Sequence, residues 1–253
     1  MTGSLHATEI IAHRGASHDA PENTLSAMRL AWEQGADAVE LDIYLSKDGK
    51  ILVFHDKDTK RIGGVDRPIG DYTLAEAAKL DVGAWKNAKF AGERMPTLEA
   101  ILETVPPGKR AVIEIKTGPE IVPELARVIE ASGKSAAQLA VISFQFDALA
   151  ASQKRLPELP HYFLQGYKKD PKTGEFHKLE PLIGKVKAAG FAGLNLHFDW
   201  PIDRKFTDQV EAAGLKLLVW TVNDAAVARR LVAAGVVGIT TDRPAWLREQ
   251  LAK

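Results

Sequence analysis

Short apolar segments rich in Val, Ile and Leu alternate along the chain with longer amphipathic segments. This alternation predicts parallel strands that are connected by helices. The predicted strands cover residues 9–13, 38–45, 110–116, 138–143, 161–164, 193–196, 216–221 and 237–240. The predicted helices cover residues 23–34, 98–104, 119–132, 178–189, 203–213, 224–234 and 244–251.

Glycines mark the ends of four of these helices. Gly35, Gly190, Gly214 and Gly235 each stand between a predicted helix and the next apolar segment. A glycine in this position can adopt a positive φ and end the helix. Eight such β/α units predict a (β/α)8 TIM barrel, which typically takes about 250 residues. A doubly wound open sheet is the alternative, although no glycine-rich dinucleotide loop follows the first strand.

One segment interrupts the β/α alternation. Asp48-Gly49 is a tight hairpin signal, and residues 51–55 then form a predicted returning strand. Residues 56–96 are polar and rich in turn signals, which predicts a small insertion after the second strand. We therefore predict one TIM-barrel domain over residues 1–253, in which the insertion forms a wall of the catalytic face.

Composition narrows the class of protein. The chain has 253 residues with 45% hydrophobic and 26% charged, as in an ordinary globular protein. Lys and Arg total 33, as do Asp and Glu, so no net charge attracts nucleic acid. The absence of cysteine excludes disulfides and thiol nucleophiles. With no signal-peptide pattern and no membrane-length apolar segment, we expect a cytoplasmic protein without stable membrane association. The sequence does not predict an oligomeric state.

Two acidic residues share one face of the second predicted strand. Glu40 and Asp42 are two positions apart, so strand periodicity directs both into the barrel. Val39, Leu41 and Ile43 would then pack under the helices. Two neighbouring carboxylates in a protein interior are costly unless a cation lies between them. The pattern therefore predicts a metal site, with a solvated edge strand as the alternative.

The third predicted strand carries another acidic residue. Glu114 and Lys116 lie on one face, where Glu114 could complete a three-carboxylate site. Lys116 could balance this charge or contact a phosphate, and a buried ion pair without a ligand is the alternative. Oxygen ligands favour Mg²⁺ or Ca²⁺ over Zn²⁺. We therefore predict one divalent cation of this kind.

Candidate groups for phosphate chemistry follow two of the apolar strands. Arg14 has a planar guanidinium that matches phosphate oxygens, and Gly15 beside it permits a sharp turn. His13 and His55 each end an apolar segment, and imidazole titrates near neutrality. Phosphodiester cleavage needs one group to activate the nucleophile and one to protonate the leaving alkoxide. The two histidines are candidates for these tasks, and ordinary loop residues are the alternative.

Taken together, these motifs resemble those of the glycerophosphodiester phosphodiesterase family of the cytoplasmic bacterial type. The resemblance is specific over about residues 10–117 and weaker over the rest of the chain. The specific motifs are His13-Arg14-Gly15, Pro21-Glu22-Asn23-Thr24, Glu40-Leu41-Asp42, His55-Asp56 and Glu114-Ile115-Lys116. The weaker ones are Ser143-Phe144, Trp220-Thr221-Val222-Asn223 and Thr241-Asp242-Arg243-Pro244.

The resemblance implies a TIM barrel with an insertion after the second strand. It also implies that Glu40, Asp42 and Glu114 bind one divalent cation. His13 and His55 resemble the general acid–base pair of the family. The expected substrate-binding residues are Arg14 at the phosphate, Trp220 and Phe144 at the glycerol pocket, Lys116, and Asn23 at the start of the first helix.

The implied reaction is hydrolysis of glycerophosphodiesters, such as glycerophosphocholine or glycerophosphoethanolamine, to sn-glycerol 3-phosphate and an alcohol. The cation would bind a phosphate oxygen and glycerol hydroxyls, and lower the pKa of the hydroxyl. Which histidine is the acid stays open. So does the nucleophile, which is either water or the glycerol 2-hydroxyl that forms a cyclic phosphate.

Three alternative functions fit a barrel with these residues less well. A lysophospholipase D-like phosphodiesterase would need an apolar groove, and residues 56–94 contain no extended apolar run. A non-catalytic glycerophosphate-binding barrel would not need the two histidines. Proton abstraction of the enolase type usually draws its carboxylates from later strands than those of Glu40 and Asp42. Hydrolysis of a water-soluble diester is therefore the favoured hypothesis.

Overall fold

The computed structural model describes residues 8–169 and 174–253. Over this part of the chain the strands are β1 (Glu9–Ala12), β2 (Ala38–Leu45), β3 (Ile51–Val53), β4 (Arg110–Ile115), β5 (Leu139–Ser143), β6 (His161–Gln165), β7 (Gly193–His197), β8 (Lys216–Trp220) and β9 (Gly238–Thr241). All neighbouring strands are parallel except β3, which pairs antiparallel with β2.

The described helices are α1 (Leu25–Glu33), α2 (Lys60–Gly63), α3 (Leu74–Ala77), α4 (Leu98–Glu103), α5 (Val122–Ser132), α6 (Phe146–Arg155), α7 (Leu179–Ala188), α8 (Arg204–Ala212), α9 (Ala225–Ala234) and α10 (Pro244–Leu251). Helix α6 was not among the predicted helices. The four predicted helix-ending glycines all have φ between 71° and 92°. No helix in the described ranges is long and apolar enough to cross a membrane.

The predicted TIM barrel is confirmed, with an insertion after its second strand. Strand β1 pairs with β9 on one side and with β2 on the other, which closes the eight parallel strands into a barrel. An open sheet would leave two edge strands without partners, so that alternative is wrong.

Side chains alternate between the inside and the outside of the barrel. Val39, Leu41 and Ile43 of β2 pack in the apolar layer that contacts the helices. A separate apolar cluster fills the barrel interior and contains Ile11, Ala38, Val112, Ala140, Ile142, Tyr162, Leu164 and Leu218. The interior positions of β2 and β4 that lie above this cluster are acidic. Because alternate side chains of a strand point to the same face, the acidic side chains of β2 and β4 point into the barrel.

The insertion between β3 and α4 has a small core of its own. Buried residues of this segment, together with residues of β2 and β3, form a cluster of Tyr44, Leu52, Phe54, Ile62, Ile69, Tyr72, Ala77, Val82 and Met95. The Ser26 hydroxyl of α1 donates to Glu93 at 2.6 Å, which ties the end of the insertion to the barrel. The segment therefore packs as a defined wall, although its sequence is polar and rich in turn signals.

A buried histidine stabilises the start of β6. His161 is fully buried, and its Nδ1 donates to the carbonyl oxygen of Leu159 at 2.9 Å. Its Nε2 accepts from the Ser152 hydroxyl of α6 at 2.8 Å. Burial lowers the pKa of His161 to about 4, below its ordinary value of 6.5. The folded protein therefore holds this imidazole neutral, whereas the unfolded chain protonates it in mild acid.

The free energy of unfolding should consequently fall as the pH falls through 6.5 towards 4. Between about pH 7.5 and about pH 5, protonation of the unfolded chain at His161 should remove roughly 2 kcal/mol of stability. Urea unfolding of the wild type and of His161→Gln at both pH values measures this contribution. The variant should be less stable at the higher pH and should lose less stability on acidification. Equal losses in the two proteins would show that His161 does not titrate in this range.

Candidate active site

Both predicted catalytic histidines and two of the predicted metal ligands, Glu40 and Glu114, line one cavity of about 170 Å³ at the end of the barrel, and Asp42 lies beside these two ligands. His13 directly follows β1, and His55 lies two residues after β3. The lining residues are His13, Arg14, Glu40, His55, Glu114, Lys116, Ile142, Phe144, Leu164, Asn195, Trp220, Thr221 and Thr240. This main cavity is smaller than the roughly 300 Å³ typical of drug-sized ligands, so it suits a small polar molecule.

Three buried carboxylates lie together beside the main cavity. Glu40, Asp42 and Glu114 are 2%, 1% and 8% exposed, and one oxygen of each lies within 4.8 Å of the others. Asp42 stands opposite Glu114 in the pairing of β2 with β4. Glu40 Oε1 and Asp42 Oδ1 are buried without a hydrogen-bond partner in the described structure. Unsatisfied anionic oxygens that converge in this way fit a divalent cation.

The pKa values of these carboxyls reflect their crowding. Burial and the neighbouring charges of Asp42 and Glu114 raise the pKa of Glu40 well above its ordinary value. Burial and the charge of Asp42 raise the pKa of Glu114 to about 7. Asp42 is also buried, but the charges of Lys116 and Arg14 outweigh burial and lower its pKa. The cluster therefore holds more negative charge than its basic neighbours neutralise, and a bound proton or cation would relieve it.

The loop after β1 holds the carboxylates through its backbone. Arg14 and Asn23 have φ values of 55° and 58°, in the left-handed region that few non-glycine residues adopt. The Asn23 N–H donates to the Arg14 carbonyl oxygen at 3.0 Å, which links the two ends of the loop. The Arg14 N–H donates to Glu40 Oε2 at 2.9 Å. The strained backbone therefore orients one carboxylate of the cluster.

Asn23 lies behind the carboxylates and is not among the residues that line the main cavity. Its side chain is 3% exposed, and its amide nitrogen donates to Asp42 Oδ2 at 2.8 Å. Its amide oxygen accepts from the Asp42 backbone N–H at 3.2 Å. Both ends of the amide therefore contact Asp42 and orient its carboxylate, and a contact of Asn23 with substrate stays a prediction.

Each of the two cavity histidines is held by an aspartate. His13 Nδ1 lies 2.6 Å from Asp242 Oδ1, and His55 Nδ1 lies 2.7 Å from Asp56 Oδ1. Burial alone would raise the pKa of Asp242, but its hydrogen bonds to His13 and Asn223 lower it to about 2. Both aspartates therefore accept from Nδ1, which leaves Nε2 of each imidazole for proton transfer.

Two basic side chains supply positive charge at the main cavity. Lys116 Nζ lies 2.8 Å from Glu114 and 3.3 Å from Asp42. Arg14 Nη1 donates to Glu22 at 2.9 Å, while its Nε lies 3.3 Å from Asp42 without a hydrogen bond. A phosphate in this cavity would meet both cations next to the carboxylate cluster.

Two aromatic side chains line the main cavity. Phe144, which is 44% exposed, meets Trp220 edge to face with ring centroids 5.4 Å apart. The Trp220 indole N–H donates to the carbonyl oxygen of Asn195 at 3.1 Å, which fixes the ring. The cavity is thus polar on one side and apolar on the other, as a ligand with a charged group and a carbon backbone requires.

Glu22, Asp56 and Asp242 stand in motifs of the sequence that assign them no role, and Arg61 stands in none of these motifs. Asp242 contacts His13 across 229 positions of the chain. Arg61 of the insertion donates to both Glu22 and Asp56, at 2.6 Å in each case. Asp56 directly follows the candidate His55, and Asp242 directly follows β9, but neither position distinguishes a partner of histidine from a loop residue.

The comparisons with known proteins agree with this geometry. Residues 13–246 match the family model described as the glycerophosphoryl diester phosphodiesterase family. A glycerophosphodiester phosphodiesterase of Caldanaerobacter subterraneus subsp. tengcongensis is 35% identical over 245 residues, which cover 95% of this chain and 96% of the relative. The match therefore extends over almost the whole of both chains.

Solved structures of such proteins have the same fold. A phosphodiesterase of Oleispira antarctica, solved with the product sn-glycerol-3-phosphate, is 28% identical with a TM-score of 0.86 and 97% of each chain covered. The glycerophosphodiester phosphodiesterase of Thermotoga maritima is 28% identical with a TM-score of 0.75, over 96% of this chain and 98% of that one.

The carboxylate cluster should bind Mg²⁺ or Ca²⁺ more tightly as the pH rises. Glu114, whose pKa is about 7, must lose its proton to become a ligand, so the affinity should increase from about pH 6 to about pH 8. Isothermal titration calorimetry at several pH values measures this dependence. Glu114→Gln should bind more weakly and with less pH dependence, whereas the exposed Glu120→Gln should behave as the wild type. A pH-independent affinity of the wild type would contradict the assignment.

Proposed function

The chain belongs to the glycerophosphoryl diester phosphodiesterase family, and we propose that it hydrolyses glycerophosphodiesters to sn-glycerol 3-phosphate and an alcohol. One observation carries the proposal. A buried three-carboxylate cluster, two cations and two aspartate-held histidines surround a single small cavity. This combination supplies a site for a cation, a site for a phosphate and two groups for proton transfer.

The phosphate is bound by Arg14 and Lys116. Both side chains are largely buried, and each is already oriented by carboxylates of the site. Because both side chains are largely buried, their charges are screened less by solvent than those of surface residues. They would stabilise the negative charge that the phosphate oxygens carry during displacement.

Glu40, Asp42 and Glu114 are the proposed ligands of one Mg²⁺ or Ca²⁺ ion. When bound, such an ion neutralises phosphate charge and lowers the pKa of a hydroxyl that it contacts. The protein prepares the ligands in advance, because Asn23 orients Asp42 and the Arg14 backbone orients Glu40. Hydrogen bonds from neighbouring groups to the metal ligands fix the orientation of those ligands before the ion binds.

His13 and His55 are the proposed acid–base pair. Each presents Nε2 to the main cavity because its Nδ1 is engaged by an aspartate. Burial lowers the pKa of His55, although the charge of Asp42 opposes the effect. One imidazole takes the proton of the nucleophile and the other protonates the leaving alkoxide. The arrangement serves either water or the glycerol 2-hydroxyl as nucleophile.

The apolar wall is proposed to contact the carbon backbone of glycerol. Phe144 and Trp220 provide ring faces and edges that line the main cavity. The small volume of the main cavity, about 170 Å³, suits a glycerol unit and favours water-soluble diesters over lysophospholipids. Turnover of glycerophosphocholine should therefore exceed turnover of a long-chain lysophosphatidylcholine in the same assay. The reverse order would assign the enzyme to the lysophospholipids.

Release of sn-glycerol 3-phosphate tests the proposed reaction. The wild type should release it from glycerophosphocholine or glycerophosphoethanolamine, lose this activity with a chelator and regain it with Mg²⁺ or Ca²⁺. His13→Ala and His55→Ala should each lower kcat by about two to four orders of magnitude while Tm stays close to that of the wild type. His177→Ala, at a position away from the main cavity, is the matched control. Near-full activity of either cavity variant would remove that histidine from the mechanism.

Asp242→Asn tests the support of His13. The variant keeps the shape of the side chain but loses the carboxylate that accepts from Nδ1. We expect kcat/KM to fall by on the order of a hundredfold, because the carboxylate that orients the His13 imidazole and stabilises its protonated form is lost. The pH profile of kcat/KM should also move towards lower pH. The exposed Asp147→Asn is the control, and an unchanged pH profile would reduce Asp242 to a structural residue.

A further inference from the structure

A second cavity, of about 270 Å³, lies next to the main one and shares His13 and Arg14 with it. Its other lining residues are Ser17, His18, Glu22, Trp85, Lys86 and Asp242. We propose that this side cavity binds the alcohol part of the diester and selects hydroxyl-rich or anionic alcohols over quaternary ammonium alcohols. The inference rests on the proposed function and specifies its substrate class.

The position of the side cavity fits a leaving group. His13 and Arg14 form the wall between the two cavities, and Arg14 is the proposed phosphate ligand. A phosphodiester carries one substituent on each of two ester oxygens. With the phosphate at Arg14 and the glycerol against Phe144 and Trp220, the second substituent extends past His13 into the side cavity. His13 then lies next to the bond that breaks.

The insertion builds the outer wall of the side cavity. Lys86 Nζ donates to the carbonyl oxygen of Ser17 at 2.7 Å, which joins the insertion to the loop after β1. The Trp85 indole N–H donates to the Val82 carbonyl oxygen at 2.8 Å, and the ring lies 5.2 Å from the Arg61 guanidinium. These contacts hold both side chains in place before a ligand binds, as a specificity pocket requires.

The acidic residues of the side cavity already accept hydrogen bonds from their neighbours. Glu22 accepts hydrogen bonds from both Arg14 and Arg61. Asp242 accepts from His13, and also from Ser17 and Asn223. Neither carboxylate is therefore free to attract a cationic alcohol.

The ammonium group of Lys86 forms no ion pair with a carboxylate in the described part of the chain. Within residues 8–169 and 174–253 no carboxylate lies within 4.0 Å of its ammonium, and the Ser17 carbonyl oxygen is its hydrogen-bond acceptor. An ammonium group has three donors, so two of them can serve hydroxyl or carboxylate oxygens of a ligand. The side cavity therefore offers unpaired donors on an ammonium group that forms no ion pair.

A quaternary ammonium group would be poorly placed here. Such cations are usually bound against open aromatic faces or unpaired carboxylates. Trp85, the aromatic residue of this cavity, already has the Arg61 guanidinium at 5.2 Å and the Lys86 ammonium at 5.9 Å from its ring centroid. The Trp85 ring is therefore already in contact with two cationic side chains, whereas a glycerol, inositol or serine headgroup offers oxygens that Lys86 can bind.

Steady-state kinetics with two diesters test the proposal. Glycerophosphoglycerol and glycerophosphocholine share the glycerol and phosphate groups and differ in the alcohol alone. The wild type should have the higher kcat/KM for glycerophosphoglycerol. Lys86→Met should lower kcat/KM for this substrate by about tenfold, mainly through KM, because one charged hydrogen bond is lost. The value for glycerophosphocholine should stay the same or increase.

Two further variants separate specificity from folding. Lys86→Arg keeps the charge and should keep the preference for glycerophosphoglycerol. Lys89→Met is the matched control, since this exposed lysine of the same insertion is not among the side-cavity residues. Equal losses on both substrates in Lys86→Met, or a wild-type preference for glycerophosphocholine, would overturn the inference. Failure of the wild type to release sn-glycerol 3-phosphate from either diester would instead overturn the proposed function, and the inference with it.

Discussion

The burial of three carboxylates at one end of the barrel is the constraint on which the rest of the structure depends. Glu40, Asp42 and Glu114 lie side by side with almost no access to water. Removing a charged group from water costs several kcal/mol, and like charges nearby add to that cost. Lys116 and Arg14 offset part of it, and two carboxylate oxygens remain without a hydrogen-bond partner in the described structure. A cation site is the arrangement that such residues stabilise best.

The loop after β1 has a tightly constrained backbone because it serves this cluster. Two non-glycine residues, Arg14 and Asn23, adopt left-handed conformations, and their backbone and side-chain groups bind Glu40 and Asp42. Gly15 between them has a φ of 80°, and a Cβ atom there would lie 2.6 Å from the backbone of Ala27 in α1. The close approach of this loop to α1 is thus possible with glycine alone. The geometry of the cation site and the packing of the first helix are therefore coupled.

The insertion connects this site to the surface. Its small core lets Arg61, Trp85 and Lys86 stand at defined positions beside the β1 loop. Arg61 joins Glu22 to Asp56 and so links the support of Arg14 to the support of His55. The barrel carries the carboxylate cluster, and a segment outside the β/α repeat supplies Trp85 and Lys86 to the side cavity. Loops on the catalytic face of TIM barrels commonly vary in this way without altering the scaffold.

The sequence by itself determined the barrel and the inward direction of the acidic residues. Strand periodicity is local, so the alternation in β2 was enough to direct Glu40 and Asp42 away from Leu41, and glycines such as Gly235 marked the helix ends. The contacts between site residues that are far apart in the sequence were decided by the tertiary structure alone. Asp242 reaches His13 because β9 pairs with β1, Asn23 turns behind Asp42 because its backbone is left-handed, and Lys86 meets Ser17 because the insertion folds back over the first loop. None of these contacts has a local pattern, since each joins residues whose distance along the chain carries no information about their distance in space.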